Sequence, residues 1–135
     1  MLMPKKTKYR KDHKRKRGGK ATRTLNIDFG SYGLKATTPC WVTSRQIESA
    51  RRVIAKYIKK NGKLWIRIFP DKPVTNHGGE MPMGKGKGAV DHYVAIVKPG
   101  VVMFEVEGLD EKTAKKALEL AAHKLPLKAK FVSKK

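Results

Sequence analysis

The sequence predicts a single compact α+β domain: two helices on a mixed or antiparallel sheet, with a basic N-terminal arm and a long Gly/Lys loop outside the packed part. Three observations lead there. Strand-like alternation occurs before, between and after two segments of helical periodicity. Each helical segment opens on a capping signature. The chain has 135 residues, enough for one modest core and too few for two comfortable domains. No internal repeat competes with this division.

Residues 1–23 carry 11 basic side chains and one acid, Asp12. Their apolar content is too low to offset the entropy of ordering them alone, so they read as an arm that orders on a polyanion. The domain proper is expected over residues 24–135. Leu25, Ile27 and Phe29 alternate with polar residues as a short first strand closed by Gly30, and Tyr32 to Thr38 gives a second, ended by Pro39. Thr43-Ser44-Arg45-Gln46 is a capping box in which Thr43 and Gln46 each satisfy an orphan N–H. Ile47, Ala50, Ile54, Tyr57 and Ile58 then recur at helical spacing beside Val53, and Asn61-Gly62 supplies the stop.

Lys63 to Phe69 alternates as a strand stopped by Pro70, and Val74 begins a further extended piece. Residues 77–92 read as a long loop. Tyr93 to Val97 and Val101 to Val106 flank Pro99-Gly100, a hairpin signal. Asp110 caps a second helix with an acid in its first turn. Its apolar face is Ala114, Ala117, Leu118 and Ala121, and Pro126 marks its end. Leu127 to Val132 is the last strand.

Charge bounds the function. Lys and Arg number 32 against 11 Asp and Glu, for a formal net charge of +21. A surface with that excess repels itself and calls for an anionic partner, nucleic acid first and an anionic membrane surface behind it. No apolar run approaches the roughly 20 residues of a membrane span. Met1-Leu2-Met3-Pro4 is too short for a secretory signal, and the preference for Lys with no Ser in residues 1–23 argues against a transit peptide. The single Cys40 excludes an internal disulfide and fits a reducing compartment.

The first helix carries Arg45, Arg51, Arg52, Lys56, Lys59 and Lys60 against one acid, Glu48. A solvated face normally mixes signs, so this one suits phosphates: Arg binds them bidentately, and Lys acts as a point charge. Gly84-Lys85-Gly86-Lys87-Gly88 adds two lysines to a backbone that glycine frees for close approach. Loops longer than about 12–15 residues in compact domains are usually functional or disordered.

Gly79 to Lys85 meets part of a nucleotide-binding loop, but Gly86 stands where Ser or Thr should hold magnesium, and the segment runs toward a strand instead of opening a helix. His13, His77, His92 and His123 are scattered, and Cys40 has no partner at zinc-site spacing. Catalytic residues, metal and cofactor are therefore not expected. Trp41 and Trp65 could stack on bases, although Trp65 within an apolar strand suits a core. Met81 and Met83 bracket Pro82 and suit either packing on RNA or plain exposure.

The stretch Trp65-Ile66-Arg67-Ile68-Phe69-Pro70-Asp71-Lys72-Pro73-Val74-Thr75, followed by Met83 and the Gly84–Gly88 block, closely resembles the bacterial large-subunit ribosomal protein L-sixteen family. Pro4 to Lys11, Thr43 to Arg51 and Leu120 to Lys128 resemble that family's basic start, first helix and last helix–strand junction. The resemblance covers essentially the whole chain.

It implies a structural, non-enzymatic large-subunit protein of compact α+β fold. The family binds rRNA near the central protuberance, with its glycine-lysine loop toward the tRNA cleft of the peptidyl-transferase region. Carried over, Lys5, Lys6, Lys8, Arg10 and Lys11 are rRNA anchors, as are Arg45, Arg51 and Arg52. Met83, Gly84, Lys85, Gly86, Lys87 and Gly88 are the tRNA-proximal loop. The implied partners are large-subunit rRNA, nearby tRNA and neighbouring ribosomal proteins, with no membrane and no DNA, in a cytoplasmic ribosome ahead of an organellar one. An extra-ribosomal RNA-binding protein or RNA chaperone is the alternative. One departure is Pro82, where many bacterial members have Arg.

Overall fold

The structure, a computed structural model, describes residues 2–5, 21, 24–58, 62–75 and 90–134. In chain order the elements are β1 (Tyr32–Ala36), β2 (Cys40–Thr43), α1 (Ser44–Ala55), β3 (Lys63–Ile66), β4 (Lys72–Thr75), β5 (Val90–Val97), β6 (Val102–Glu107), α2 (Glu111–Ala122) and β7 (Ala129–Ser133). The expected α+β class holds, but the strands form two sheets in place of one. The first has the order β3-β6-β1-β7 and the second β2-β5-β4. Every pairing is antiparallel.

The start of α1 follows from its cap. The Gln46 N–H donates to the Thr43 hydroxyl at 3.2 Å, and the Thr43 N–H donates to the Gln46 side-chain oxygen at 2.9 Å. Ile47, Ala50 and Ile54 are buried, the one-faced stripe that a 3.6-residue period produces. The helix ends at Ala55, well before the expected Asn61-Gly62 stop. The Tyr57 and Ile58 N–H groups reach back only three residues, to Ile54 and Ala55. That tightened turn spends the last helical carbonyls. In α2 the Asp110 carboxylate accepts from the Thr113 N–H at 3.2 Å, and Ala114, Ala117, Leu118 and Ala121 are fully buried.

The helices pack on each other. α2 covers β1 and β7, and α1 sits against β2, β3 and β5. Between them and the sheets lies one core that includes Leu34, Val42, Ile54, Val97, Phe104 and Leu118. β6 is buried along its length from Val102 to Val106, as suits an interior strand covered on both faces.

Two expected elements differ. The segment at Leu25–Phe29 forms no strand. The N–H groups of Asp28, Phe29 and Gly30 converge on one oxygen of the Glu105 carboxylate, at 3.1, 2.8 and 2.9 Å. Successive N–H groups of a strand point in alternate directions, so no strand could make this nest. Gly30 is required there, because a Cβ would stand 2.5 Å from the Val106 carbonyl oxygen.

The expected hairpin across Pro99-Gly100 is also absent. β5 pairs with β2 and β4, whereas β6 pairs with β1 and β3. The turn instead carries the chain from one sheet to the other, with Gly100 at φ +103° and its N–H on the Ala36 carbonyl at 2.8 Å. β5 begins at Val90, so residues 90–92 of the expected 77–92 loop belong to a strand.

Candidate nucleic-acid interface

The burial of Ile47, Ala50 and Ile54 fixes which side of α1 meets solvent. Arg45, Ser49, Arg52 and Lys56 are exposed at steps of four, three and four residues, one line down the helix. Arg45 makes no ion pair among the described residues, and Arg52 keeps 73 % of its side chain exposed. Arg52 in the last turn also complements the negative end of the helix dipole.

Arg51 stands apart from that line. Its guanidinium clasps Glu48, with Nε on Oε2 at 3.0 Å and Nη2 on Oε1. Arg52 Nε reaches the same carboxylate at 3.4 Å. The hydrogen bond from Arg51 holds the Glu48 carboxyl at a pKa of about 2, well below the usual range. Of the three arginines expected on this face, Arg45 and Arg52 present charge to solvent and Arg51 is largely occupied by its neighbour.

Lys5 is exposed, and Leu2, three residues before it, is half-buried against the core. Lys6, Lys8, Arg10 and Lys11 lie outside the described residues, as do Lys59, Lys60 and the whole Met83–Gly88 block. Trp65 is half-buried and stacks on Phe29, ring centroids 6.0 Å apart. Trp41 carries the Lys72 ammonium 5.4 Å from its ring centroid. Both indoles thus have partners within the protein.

Arg67 and Glu105 do work that the sequence reading left unassigned. Arg67 Nη1 donates to Glu105 Oε2 at 2.7 Å and to the Asn26 carbonyl at 2.6 Å, while Nη2 reaches Asp28 at 2.9 Å. Its guanidinium also lies 5.2 Å from the Phe29 ring centroid. The signal was one acid inside the apolar run Val101–Val106; a buried carboxylate needs a cation and donors.

Among the described residues no group of three or more His, Cys, Asp or Glu is placed to hold a metal ion. Among them, too, no helix is long and apolar enough to cross a membrane.

The sequence matches, over residues 4–132, the family described as ribosomal protein L16p/L10e. The chain belongs to that family. Relatives named large ribosomal subunit protein uL16c agree along nearly their full length. The protein of Porphyra purpurea is 54 % identical over 132 residues, covering 98 % of this chain and 95 % of the relative. That of Thalassiosira pseudonana is 56 % identical over 135 residues, covering 100 % and 98 %. That of Gracilaria tenuistipitata is 50 % identical over 134 residues, covering 99 % of each.

An L16p/L10e member is a structural protein of the large ribosomal subunit and not an enzyme, and membership implies association with rRNA and ribosomal proteins there. The shared suffix c in these names is the one used for chloroplast ribosomal proteins. Those relatives are thus named for an organellar ribosome, where the sequence suggested a cytoplasmic one.

Proposed function

We propose that this chain holds large-subunit rRNA by phosphate contacts and helps shape the tRNA-binding cleft near the peptidyl-transferase region of an organellar ribosome. The observation that carries the reading is the line of Arg45, Arg52 and Lys56 on the solvent side of α1, where the one acid of the helix is already taken by Arg51. A rigid helix with cations along one line of its surface reads backbone and shape, not base sequence. Lys5, Lys6, Lys8, Arg10 and Lys11 extend the same contact from the arm. Met83, Gly84, Lys85, Gly86, Lys87 and Gly88 form the part directed to tRNA. Reaction chemistry at that cleft belongs to RNA, and the protein contributes positioning.

Cosedimentation tests the assignment. The chain should remain with purified large subunits through a high-salt wash, and recovery only in subunit-free fractions would favour an RNA chaperone. Replacing Lys85 and Lys87 by Ala should impair tRNA positioning more than incorporation into the subunit. Lost incorporation with normal tRNA binding in the residual particles would refute that division.

A further inference from the structure

A second cationic surface lies away from α1, on the outer face of β1 and β7. The register pairs Leu34 with Phe131 and Lys35 with Lys130. Leu34 belongs to the core cluster under the helices and the half-buried Phe131 packs against it, so Lys35 and Lys130 stand on the opposite face of the sheet. Lys134 is on the same alternation: its N–H continues the ladder to the Ser31 carbonyl at 2.9 Å. Lys128, one step before β7, begins the series.

These four lysines make no ion pair among the described residues, and residues 120–135 contain no acid at all. Like charges directly across a strand pair destabilise a sheet, so the Lys35–Lys130 pair is costly in the free protein. Lysine on an edge strand often serves only to block strand addition. That accounts for Lys130 on β7 but not for Lys35, which sits on β1 between β6 and β7.

A groove of about 440 Å³ runs beside these lysines. Lys35 and Lys134 line it, over a floor that includes Leu25, Ile27, Val102 and Val132. Cations at its rim and apolar side chains below match a nucleotide, with its charged phosphate and flat, weakly solvated base. Alternate residues of a strand are about 6.6 Å apart, close to the repeat of successive phosphates along an extended nucleic-acid strand.

We propose that this face is a second RNA site, one that takes an unpaired stretch of RNA. Lys128 and Lys130 hold successive phosphates, Lys35 reinforces the second from across the strand pair, and Lys134 holds the phosphate two repeats further on, past a base that enters the groove over Val132. The inference rests on the reading of the chain as an RNA-binding protein, and it adds a site and a preferred RNA form to that reading.

The test measures how the affinity of the full chain for an oligouridine about 12 nucleotides long depends on salt, beside the same length as a duplex. A K35Q/K130Q/K134Q variant removes three contacts, so its log–log salt slope for the single strand should be shallower by about 2. The duplex slope should change less. Without RNA the thermal midpoint should stay level or rise as the Lys35–Lys130 repulsion disappears. The K35R/K130R/K134R variant should keep the wild-type slope.

An unchanged slope in the glutamine variant overturns the proposal, as does an equal loss for the duplex or a loss in the arginine variant. Wild-type binding with no salt dependence would instead remove the phosphate-binding reading on which the proposal rests.

Discussion

Glu105 is the residue on which the sheet and the entering chain depend together. It is fully buried, and its partner Arg67 is 13 % exposed. One carboxylate oxygen accepts three backbone N–H groups and the other accepts Arg67. Glu105→Gln keeps the shape but leaves a mostly buried guanidinium with only the exposed Asp28 as counter-charge and turns an amide toward donors. Urea unfolding should show a loss of about 3–5 kcal/mol; a loss below about 1 kcal/mol would mean that the charge is dispensable. This network was not legible in the sequence, because its members lie 38 and 75–77 residues from Glu105. Glu48 works the other way, through a neighbour that helical spacing does reveal. Its carboxyl has a lower pKa folded than unfolded, so folding favours the ionised form. The stabilisation is present above the unfolded value near 4.5 and is lost as pH falls toward about 2. Thermal midpoints of Glu48→Gln should therefore lack that part of the acid decline. The same substitution releases Arg51, and the salt slope for duplex RNA should steepen by about 0.9, one phosphate contact. A shallower slope would mean that Glu48 orients Arg51 for RNA instead of competing with it.

Among elements, the connection between β5 and β6 decides how two sheets come from one chain. Gly100 takes φ +103°, a region that L side chains rarely adopt, and a Cβ there would stand 3.2 Å from Leu25. Gly100→Ala should cost about 1–3 kcal/mol, measured by urea unfolding. A neutral result would show that the turn can relax without disturbing the sheets. The sequence made the helix starts legible, since Thr43-x-x-Gln46 and Asp110 are complete local devices whose partners sit three residues away. Local alternation made most strands legible as extended segments, but β2 at Cys40–Thr43 was not among them and Leu25–Phe29 alternates without forming one. The sequence could not say which strands pair. Alternation in Tyr93–Val97 and Val101–Val106 is the same whether they face each other or lie in different sheets, and the choice depends on β1, β2, β3 and β4. The end of α1 was misread because Tyr57 and Ile58 keep the helical apolar spacing and stay half-buried after the α-helical hydrogen bonding has stopped. Of the interface, the α1 face was legible because its lysines and arginines share one helix. The β1–β7 face was not, because Lys35 meets Lys130 only through a register fixed by tertiary packing.

Across the whole molecule, the excess of 21 positive charges makes salt act in opposite directions on folding and on binding. In the free protein the cations of α1, of α2 and of β7 repel one another, and the acids that could balance them are few or, like Glu48 and Glu105, already engaged. Raising ionic strength from about 0.01 to 0.15 M shortens the screening length from roughly 30 to 8 Å. That removes repulsion between distant cations and leaves the short Arg67–Glu105 contact nearly untouched. The thermal midpoint of the free chain should therefore rise over this range. Affinity for RNA should fall over the same change, because added counterions weaken the gain from releasing those condensed on the phosphates. With about 6–10 contacts the loss is roughly a thousandfold or more between about 50 and 200 mM salt, on the duplex-DNA scale. Calorimetry of the free protein and a binding titration in matched buffers measure the two trends. The opposite signs matter more than either size, since a chain stabilised by its own surface ion pairs would lose stability as salt rises. Parallel declines of stability and affinity would therefore assign the positive charge to internal pairing, whereas divergence assigns it to a polyanion that completes the surface from outside.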